Sequence, residues 1–367
     1  MRFDLATAAD DAAIRGLLRA TPLAGEVGLT FEREPDSALA GGIQGDVHQT
    51  LVAREEAGGP IIGMGSRSLL ELWVDGAPAR VGYLSQLRVD AAHRGHPRGV
   101  LKAYRFLREL HGDGAVPYYL TTIVADNRTA RRLLEADLPG MPRYRALDRL
   151  VTLALPARTG RARGAAGVAI ERVGVETLDD VVACLERHGR RHPFAPRWTR
   201  ATLLCPRRAR GLAPGDFLLA RRGGRAVACL ALWDQRAFKQ TVVRRYGPRT
   251  RLLRPLLNAA APLLGIPALP RCGEPLRSAF ASHAAADADA GDALVALVAA
   301  ALGSAAARGL DSLAIGFAER DPLGRAVAAA FPCRRYASIL YTVHWEDGAE
   351  AVARLGGRIP HPEVAIL

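Results

Sequence analysis

Residues 81–111 constrain the fold more strongly than any other stretch of the chain. Residues 81–90, VGYLSQLRVD, have the composition of a strand, and residues 100–111, VLKAYRFLRELH, have the apolar spacing of an amphipathic helix. The turn between them contains two glycines and three basic residues, namely Arg94, Gly95, His96, Arg98 and Gly99. Because the first turn of a helix leaves backbone N–H groups unpaired at the positive end of its dipole, this junction suits a phosphate or another anion. The same turn is also typical of a capped helix with solvated arginines.

A second strand and helix follow this unit. Residues 118–124 form an apolar run of strand length, and Asp126 or Asn127 then stands at the N-cap position of a short helix. Pro139 and Gly140 mark the turn after that helix. Two consecutive strand–helix units favour the anion-site interpretation of the basic turn.

Residues 2–155 resemble the GNAT superfamily of acyl-CoA-dependent N-acyltransferases. Arg94 and Gly99 match the first and last positions of the loop that holds the pyrophosphate in that family. Asn127 and Ala130 match the family's N-x-x-A helix. The resemblance to residues 168–346 is weaker.

Three positions depart from the family pattern. Pro97 stands where the loop has its central glycine, so one backbone N–H donor is missing there. Leu134 stands where many relatives have a tyrosine that protonates the departing thiolate, and Tyr83 stands where relatives have a glutamate base. A tyrosine of ordinary pKa is a poor base at neutral pH, so a water relay or another residue is expected in that role.

The resemblance implies an acyl-CoA site between the strand and the helix of residues 81–111. Backbone groups near Leu87 and Val89 would pair with the pantetheine arm, while the helix N-terminus and the arginines would hold the pyrophosphate. The substrate is implied to be acetyl-CoA or another acyl-CoA. The residues implied to bind it are Leu87, Arg88, Val89, Arg94, Gly95, His96, Arg98, Gly99, Val100, Asn127 and Ala130.

Candidates for the chemistry and for the amine acceptor come from nearby polar positions. Attack on a thioester needs a neutral amine and stabilisation of the carbonyl oxygen. The catalytic candidates are Tyr83, Ser85 and Gln86 on the central strand, and the candidates bordering the acceptor cleft are Glu32, Glu34 and His48. An ordinary hydrogen-bonded or solvated side chain is the alternative for each of these six residues.

The length of 367 residues predicts two domains. The element order predicted for residues 1–156 is β, α, α, βββ, α, β, α, β, as in the GNAT superfamily, and residues 157–167 have the composition of a linker. Residues 168–346 repeat this order more loosely, and residues 347–367 form a C-terminal tail. The predicted fold class is a mixed α/β fold of two tandem GNAT-like domains, each a mostly antiparallel mixed sheet flanked by helices.

The second predicted domain has acidic residues where the first has its basic turn. Asp287, Asp289 and Asp292 precede the corresponding helix. Carboxylates repel a pyrophosphate by on the order of 1 kcal/mol for each contact near a surface. We therefore expect CoA to bind the first domain and not the second.

Residues 249–270 form a leucine-rich insertion in the second half. Its four prolines would interrupt a helix too often for it to span a membrane. Two interpretations stay open: a kinked helix that covers one face of the sheet, or an apolar lid for a long acyl chain or a lipid-like acceptor.

The composition limits the other classes of function. The formal net charge is +13, from 50 lysines and arginines against 37 acidic residues, and an anionic ligand, nucleic acid or a membrane surface could each account for it. Aromatic residues interleaved with basic ones are absent, so nucleic acid is the minor possibility. Scattered cysteines and histidines predict no metal site, and the N-terminus lacks an apolar signal region, so a cytoplasmic protein is expected.

The sequence therefore predicts an acyl-CoA-dependent N-acyltransferase that transfers an acetyl or longer acyl group to the amine of a small molecule or peptide. A fatty-acyl transferase acting on an amino acid, a peptide or a polyamine is one alternative. A non-catalytic acyl-CoA-responsive binding protein is another, because the three departures from the family pattern favour it.

Overall fold

Alternating and fully apolar segments form the strands of a large mixed sheet, and amphipathic segments form the helices that cover it. The computed structural model describes residues 1–23, 25–94, 97–157, 165–264 and 267–367. The strands are β1 (Arg2–Leu5), β2 (Val27–Glu32), β3 (Val47–Arg54), β4 (Ile61–Val74), β5 (Ala77–Val89), β6 (Tyr119–Val124), β7 (Arg143–Pro156), β8 (Val168–Arg172), β9 (Phe217–Arg222), β10 (Arg225–Trp233), β11 (Gln240–Tyr246), β12 (Ser278–Ala286), β13 (Ser312–Ala318) and β14 (Arg334–His344). The α-helices are α1 (Asp11–Ala20), α2 (Ser37–Gln44), α3 (Pro97–His111), α4 (Arg128–Leu134), α5 (Leu178–Gly189), α6 (Arg200–Leu203), α7 (Pro248–Leu264), α8 (Gly291–Ala307), α9 (Pro322–Ala330) and α10 (Ala349–Ala353).

The main sheet has the strand order β1-β3-β4-β5-β6-β14-β7-β13-β12-β10-β9-β8. Among the described strands, β5 pairs with β6 and β12 with β13 in parallel, and the other neighbours are antiparallel. The predicted fold class, a mixed and mostly antiparallel sheet flanked by helices, is confirmed. The two halves of the sheet have the same arrangement on either side of the central pair β14 and β7. In each half a parallel pair lies next to this central pair, and three antiparallel strands lie outside the parallel pair.

The closing strands of the two halves are exchanged, which differs from the two separate sheets that the sequence predicts. β14, from the second half, lies between β6 and β7. β7, from the first half, pairs with β13 from Ser312↔Pro156 to Ala318↔Leu150. The periodicity of a segment identifies it as a strand but carries no information about its partner, so the exchange is invisible in the sequence.

Two faces of the sheet are covered by different helices. Leu69 and Leu70 are consecutive on β4 and therefore point to opposite faces. Leu70 belongs to a core that also contains residues of α2, α5 and the C-terminal tail and spans both halves. Leu69 belongs to the core beneath α3, and α8 covers a separate core of the second half. Helices α2 and α5 therefore share one face with the tail, whereas α3 lies on the other face.

A small second sheet joins the two halves at the α1 side of the molecule. β2 and β11 pair antiparallel from Val27↔Tyr246 to Glu32↔Gln240. Neither strand is part of the predicted element order, because each segment is short and the strand with which it pairs lies more than 200 residues away in the sequence. Because Glu32 pairs with Gln240, this sheet places Arg33, which follows β2, beside the first residue of β11.

No helix in the described part of the chain is both long enough and apolar enough to cross a bilayer.

Candidate active site

The parallel strands β5 and β6 separate soon after they meet. They pair at Gly82↔Tyr119 and Tyr83↔Leu120, although β5 continues to Val89 and β6 to Val124. Gly82 permits the close approach, because a Cβ atom there would lie 2.0 Å from the ring of Tyr119. Beyond Tyr83 a wedge opens between the two strands at the centre of the first half.

A β-bulge lies on the wall of this wedge. Gln86 has a φ of +56°, and the register between β4 and β5 shifts between Met64 and Ser66. A bulge leaves the backbone groups of the extra residue outside the ladder. The polar backbone of Gln86 is therefore available to a group in the wedge.

The second half repeats this geometry but fills it with its own tail. β12 and β13 pair from Ser278↔Ser312 to Phe280↔Ala314 and then separate, and His283 occupies a bulge with a φ of +53°. The backbone N–H of His283 donates to Oε2 of Glu363 at 2.6 Å. Here the bulge amide binds a carboxylate oxygen, which shows what kind of atom such an amide can hold.

The basic turn lies at the open end of the first wedge. Arg88 Nη1 donates to the carbonyl oxygen of Leu87 at 2.9 Å, and Arg94 Nε donates to the carbonyl oxygen of Val89 at 3.1 Å. Arg98 is exposed in the first turn of α3. Burial and the neighbouring Arg94 lower the pKa of Arg88. The two strand carbonyls expected to meet a pantetheine arm are thus covered by arginine side chains, which would have to move aside for it.

Parts of the predicted CoA loop lie outside the described residues, namely Gly95 and His96. Gly99 lies against the side chain of Met1, because a Cβ atom on Gly99 would be 3.3 Å from Met1 Cε. Val100 is half-buried in α3. The described part of the turn places Arg94, Arg98 and the first turn of a fifteen-residue helix at one edge of the wedge.

The second strand–helix unit caps its helix as the sequence predicts. Asn127 is the N-cap of α4, and its Oδ1 accepts a hydrogen bond from the N–H of Ala130 at 3.2 Å. Leu134 is 5% exposed and packs in the core beneath α3. A leucine in that core has no proton to give, so the thiolate donor of many GNAT relatives has no counterpart at this position.

Two of the three aspartates at the corresponding turn of the second half, Asp287 and Asp292, are paired with arginines. Asp287 pairs with Arg187 at 2.9 Å and with Arg225 at 3.0 Å, and Asp292 pairs with Arg222 at 2.6 Å. The corresponding turn of the second half therefore holds its own anions, whereas the turn of the first half presents cations.

Polar side chains share the face of the sheet that carries α2. The cross-strand pairs His48↔Ser68, Ser68↔Tyr83 and Ser66↔Ser85 align them. His48 Nδ1 lies 2.8 Å from Ser68 Oγ. The hydroxyls of Ser66 and Ser85 have no hydrogen-bond partner among the described residues. Of the predicted site residues, His48, Tyr83 and Ser85 are therefore brought together on one face beside the bulge.

The ionisation of Tyr83 and His48 is set mainly by burial. Burial raises the pKa of Tyr83 to about 12, although its hydroxyl contacts Thr122 Oγ1 at 3.0 Å. Burial, together with Arg33 and Arg207, lowers the pKa of His48 to about 4. At neutral pH the tyrosine is a proton donor and the imidazole is a neutral acceptor.

The two glutamates predicted to border the acceptor cleft are ion-paired. Glu32 is buried and accepts two hydrogen bonds of 2.8 Å from Arg244. Glu34 pairs with Arg15 at 2.5 Å and with Arg19 at 2.8 Å. Both carboxylates are engaged by arginines, so neither is placed as a free base.

Several residues of the site come from distant segments that the sequence does not single out. Gln44, at the end of α2, accepts from Gln86 Nε2 at 3.4 Å. Glu363 and Leu367, from the tail, line one pocket with Gln44 and Tyr83. No local pattern marks the tail as part of a site, because its contribution depends on a sheet that is built from both halves.

The same architecture occurs in solved structures. A GCN5-related glucosamine N-acetyltransferase region of a fungal multi-domain GH3 beta-N-acetylglucosaminidase is 14% identical, with a TM-score of 0.60 over 93% of this chain, which spans 38% of the fungal chain. Saccharomyces cerevisiae N-myristoyltransferase with bound myristoyl-CoA is 13% identical, with a TM-score of 0.59 over 93% of this chain and 82% of that one. A GCN5-related N-acetyltransferase from Sphaerobacter thermophilus is 14% identical, with a TM-score of 0.53 over 93% of this chain and 94% of that one.

The chain matches no protein-family profile, and no curated protein sequence is similar to it. The likeness in structure covers 93% of this chain and therefore extends over both halves. The chain therefore has the fold of the GCN5-related N-acetyltransferase superfamily.

Proposed function

We propose that the protein is an acyl-CoA-dependent N-acyltransferase whose active site is the wedge of the first half. One contrast carries the proposal: the first wedge has a basic turn at its open end and a bulge at Gln86, while the bulge amide of the second wedge already binds Glu363. Acyl-CoA supplies a thioester whose carbonyl carbon an amine attacks. The first turn of α3, Arg94 and Arg98 provide the donors that a pyrophosphate needs.

The residues of the wedge have complementary roles in this proposal. The backbone N–H of Gln86 donates to the carbonyl oxygen as it gains charge, as the His283 amide does to Glu363. His48 is neutral at pH 7 and accepts a proton, through water, from the nitrogen after its attack has made that nitrogen acidic. Tyr83 keeps its proton at neutral pH and donates it to the departing sulfur, and the proton taken from the amine then returns through water to Tyr83, so that one proton moves in all from nitrogen to sulfur.

The proposal is tested by CoA binding. The double variant Arg94→Glu plus Arg98→Glu should weaken CoA binding at least tenfold in isothermal titration, since two donors become two repelling carboxylates. The double variant Arg334→Glu plus Arg335→Glu, at two exposed arginines of β14, makes the same change in net charge and should bind like the wild type. If the two double variants bind CoA with equal affinity, the assignment of the CoA site to this turn is wrong.

The length of the acyl chain is a separate question. The cavity next to Tyr83 is lined largely by apolar side chains, including Leu70, Leu72, Leu120 and Ile366, but it is small, so an acyl chain longer than acetyl would have to displace some of them. Each CH₂ group that such a chain buries would gain about 0.8 kcal/mol. Thiol release with acyl-CoAs of two to fourteen carbons would reveal the preference. Binding without thiol release from any of them, across a broad set of amines, would instead identify an acyl-CoA-responsive binding protein.

A further inference from the structure

Arg33 is a buried cation without an acidic partner among the described residues. It is 4% exposed, its Nη1 donates to the carbonyl oxygen of Glu32 at 3.3 Å, and its Nε has no hydrogen-bond partner. The adjacent carboxylates of Glu32 and Glu34 are engaged by other arginines. A buried charge is costly unless it is paired and hydrogen-bonded. The protein therefore maintains an arginine whose charge its own described side chains leave uncompensated.

The backbone around Arg33 is fixed beside the pocket. The N–H of Glu34 donates to Gln240 Oε1 at 3.0 Å, and Gln240 Nε2 donates to the carbonyl oxygen of Glu34 at 2.9 Å. Lys239, which precedes Gln240, donates to the main-chain oxygens of Ala365 at 2.8 Å and Leu367 at 3.1 Å. Since Leu367 and Tyr83 line the same pocket, these contacts connect the segment of Arg33 to the residues around that pocket, although Arg33 itself does not line it.

The groups around Arg33 add positive rather than negative charge. The basic side chains near it are Arg88 and Lys239, and burial together with Arg33 lowers the pKa of Lys239, while the neighbouring His48 and Tyr83 are neutral at pH 7. Burial and Arg88 lower the pKa of Arg33 to about 10, which leaves it charged at neutral pH. Glu363, the acidic group near Lys239, accepts N–H bonds from His283 and Ala365 instead. An anion from outside would balance this cluster.

We propose that Arg33 binds the carboxylate of the acceptor, so that the amine substrate is an amino acid or another amine with a nearby carboxylate. This inference rests on the proposed function. A guanidinium suits the role because its fork of donors meets both oxygens of a carboxylate. An amine without a carboxylate would leave Arg33 unpaired and would bind less tightly.

Product analogues test the inference without turnover. N-acetylated amino acids and the carboxamides of the same compounds are titrated against the wild type, Arg33→Met and Arg245→Met. Arg245 is an exposed arginine on β11 and serves as the matched control. The wild type and Arg245→Met should bind the acids at least tenfold more tightly than the amides, and Arg33→Met should lose the difference. Equal binding of acids and amides to the wild type, no binding of either, or a preference retained by Arg33→Met would overturn the inference.

Two further measurements separate this inference from the proposed function. Thiol release with free amino acids and with their amides reports transfer directly. Equal rates with both would support the proposed transferase activity and contradict the role of Arg33 in binding the acceptor's carboxylate. If the acids bind more tightly than the amides through Arg33 but no amine causes thiol release, the role of Arg33 in binding a carboxylate would be supported and the proposed transferase activity would be wrong.

The melting temperature distinguishes a binding role of Arg33 from a purely structural role, because the two roles predict changes of opposite sign. Replacing an unpaired buried charge by an apolar side chain of similar volume removes a desolvation penalty, so Arg33→Met should melt at or above the wild-type temperature. A clearly lower melting temperature would mark Arg33 as structural and overturn the inference. If Arg33→Met does not fold, Arg33→Lys keeps the charge without the fork and should still bind the acids at least fivefold more weakly; unchanged affinity would overturn it.

Discussion

Single buried histidines link the stability of this protein to pH. His283 is 1% exposed, and its ring packs against those of Trp198, Phe217 and Trp233. Burial lowers its pKa from 6.5 to about 3. Between these two values the unfolded chain binds a proton that the folded protein does not, so this part of the stability is complete above pH 6.5 and is lost as the pH falls towards 3.

His283→Asn tests this linkage. Asparagine tolerates the positive φ of this position and does not titrate. In urea unfolding between pH 6 and pH 4, the free energy of unfolding of the wild type should fall more steeply than that of the variant, by up to about 1.4 kcal/mol per pH unit for one proton. Parallel slopes would show that His283 takes up no proton on unfolding.

At the same scale, the sequence predicts which residues share a face of the sheet better than it predicts which residues are paired or unpaired when buried. Tyr83, Ser85 and His48 lie on one face because alternation along paired strands puts them there. Glu32 and Arg33 are neighbours with similar sequence surroundings, yet one is paired with Arg244 and the other is not. Their difference depends on β11, whose position no local pattern predicts.

Among the elements, α7 departs furthest from the behaviour of an ordinary surface helix. It runs from Pro248 through Pro255 to Leu264, and Leu252, Leu256 and Leu263 are 81%, 68% and 92% exposed. Spacings of four and seven residues place these leucines in one stripe on the helix surface. The stripe faces away from the described protein, so α7 does not use it to cover the sheet as one of the two sequence interpretations proposed.

The triple variant Leu252→Lys, Leu256→Lys and Leu263→Lys measures what this stripe contributes. Because the three side chains bury little apolar surface, the free energy of unfolding should change by no more than about 0.5 kcal/mol per site. Leu297→Lys in α8, where the leucine is 0% exposed, should lower it by several kcal/mol or abolish folding. A loss at the α7 sites comparable to that of Leu297→Lys in chemical denaturation would mean that the stripe is buried, for instance by self-association.

The strands were predictable individually, but their pairing across the two halves was not. Most strands fall where alternation or apolar runs indicate them, and the bulges at Gln86 and His283 follow from sheet geometry that only the assembled structure reveals. β2 and β11 were missed because each stabilises the other across the two halves. Hydrophobic periodicity indicates which face of a segment is buried. It does not indicate with which strand, 200 residues away, that segment pairs.

At the scale of the whole molecule, the exchange of β7 and β14 makes the two halves interdependent. β14 pairs with both β6 and β7, and its residues Leu340, Tyr341 and Val343 are 0% exposed. Without it, the first half would expose the edge of β6 and the apolar core beside it, which invites aggregation. The wedge of the first half is likewise completed by the tail of the second half, so binding should also require both.

Separate expression of residues 1–157 and 165–367 tests this interdependence. Each fragment alone should be aggregated or lack a cooperative unfolding transition, since each lacks the strand that closes its sheet. Co-expressed fragments should form a complex with one transition and with the acyl-CoA affinity of the intact chain. A matched control pairs residues 1–157 with residues 165–333, which lack β14, and should yield no stable complex. If either fragment alone is monomeric and unfolds cooperatively in denaturant, the halves are independent domains and the exchanged strands merely join them.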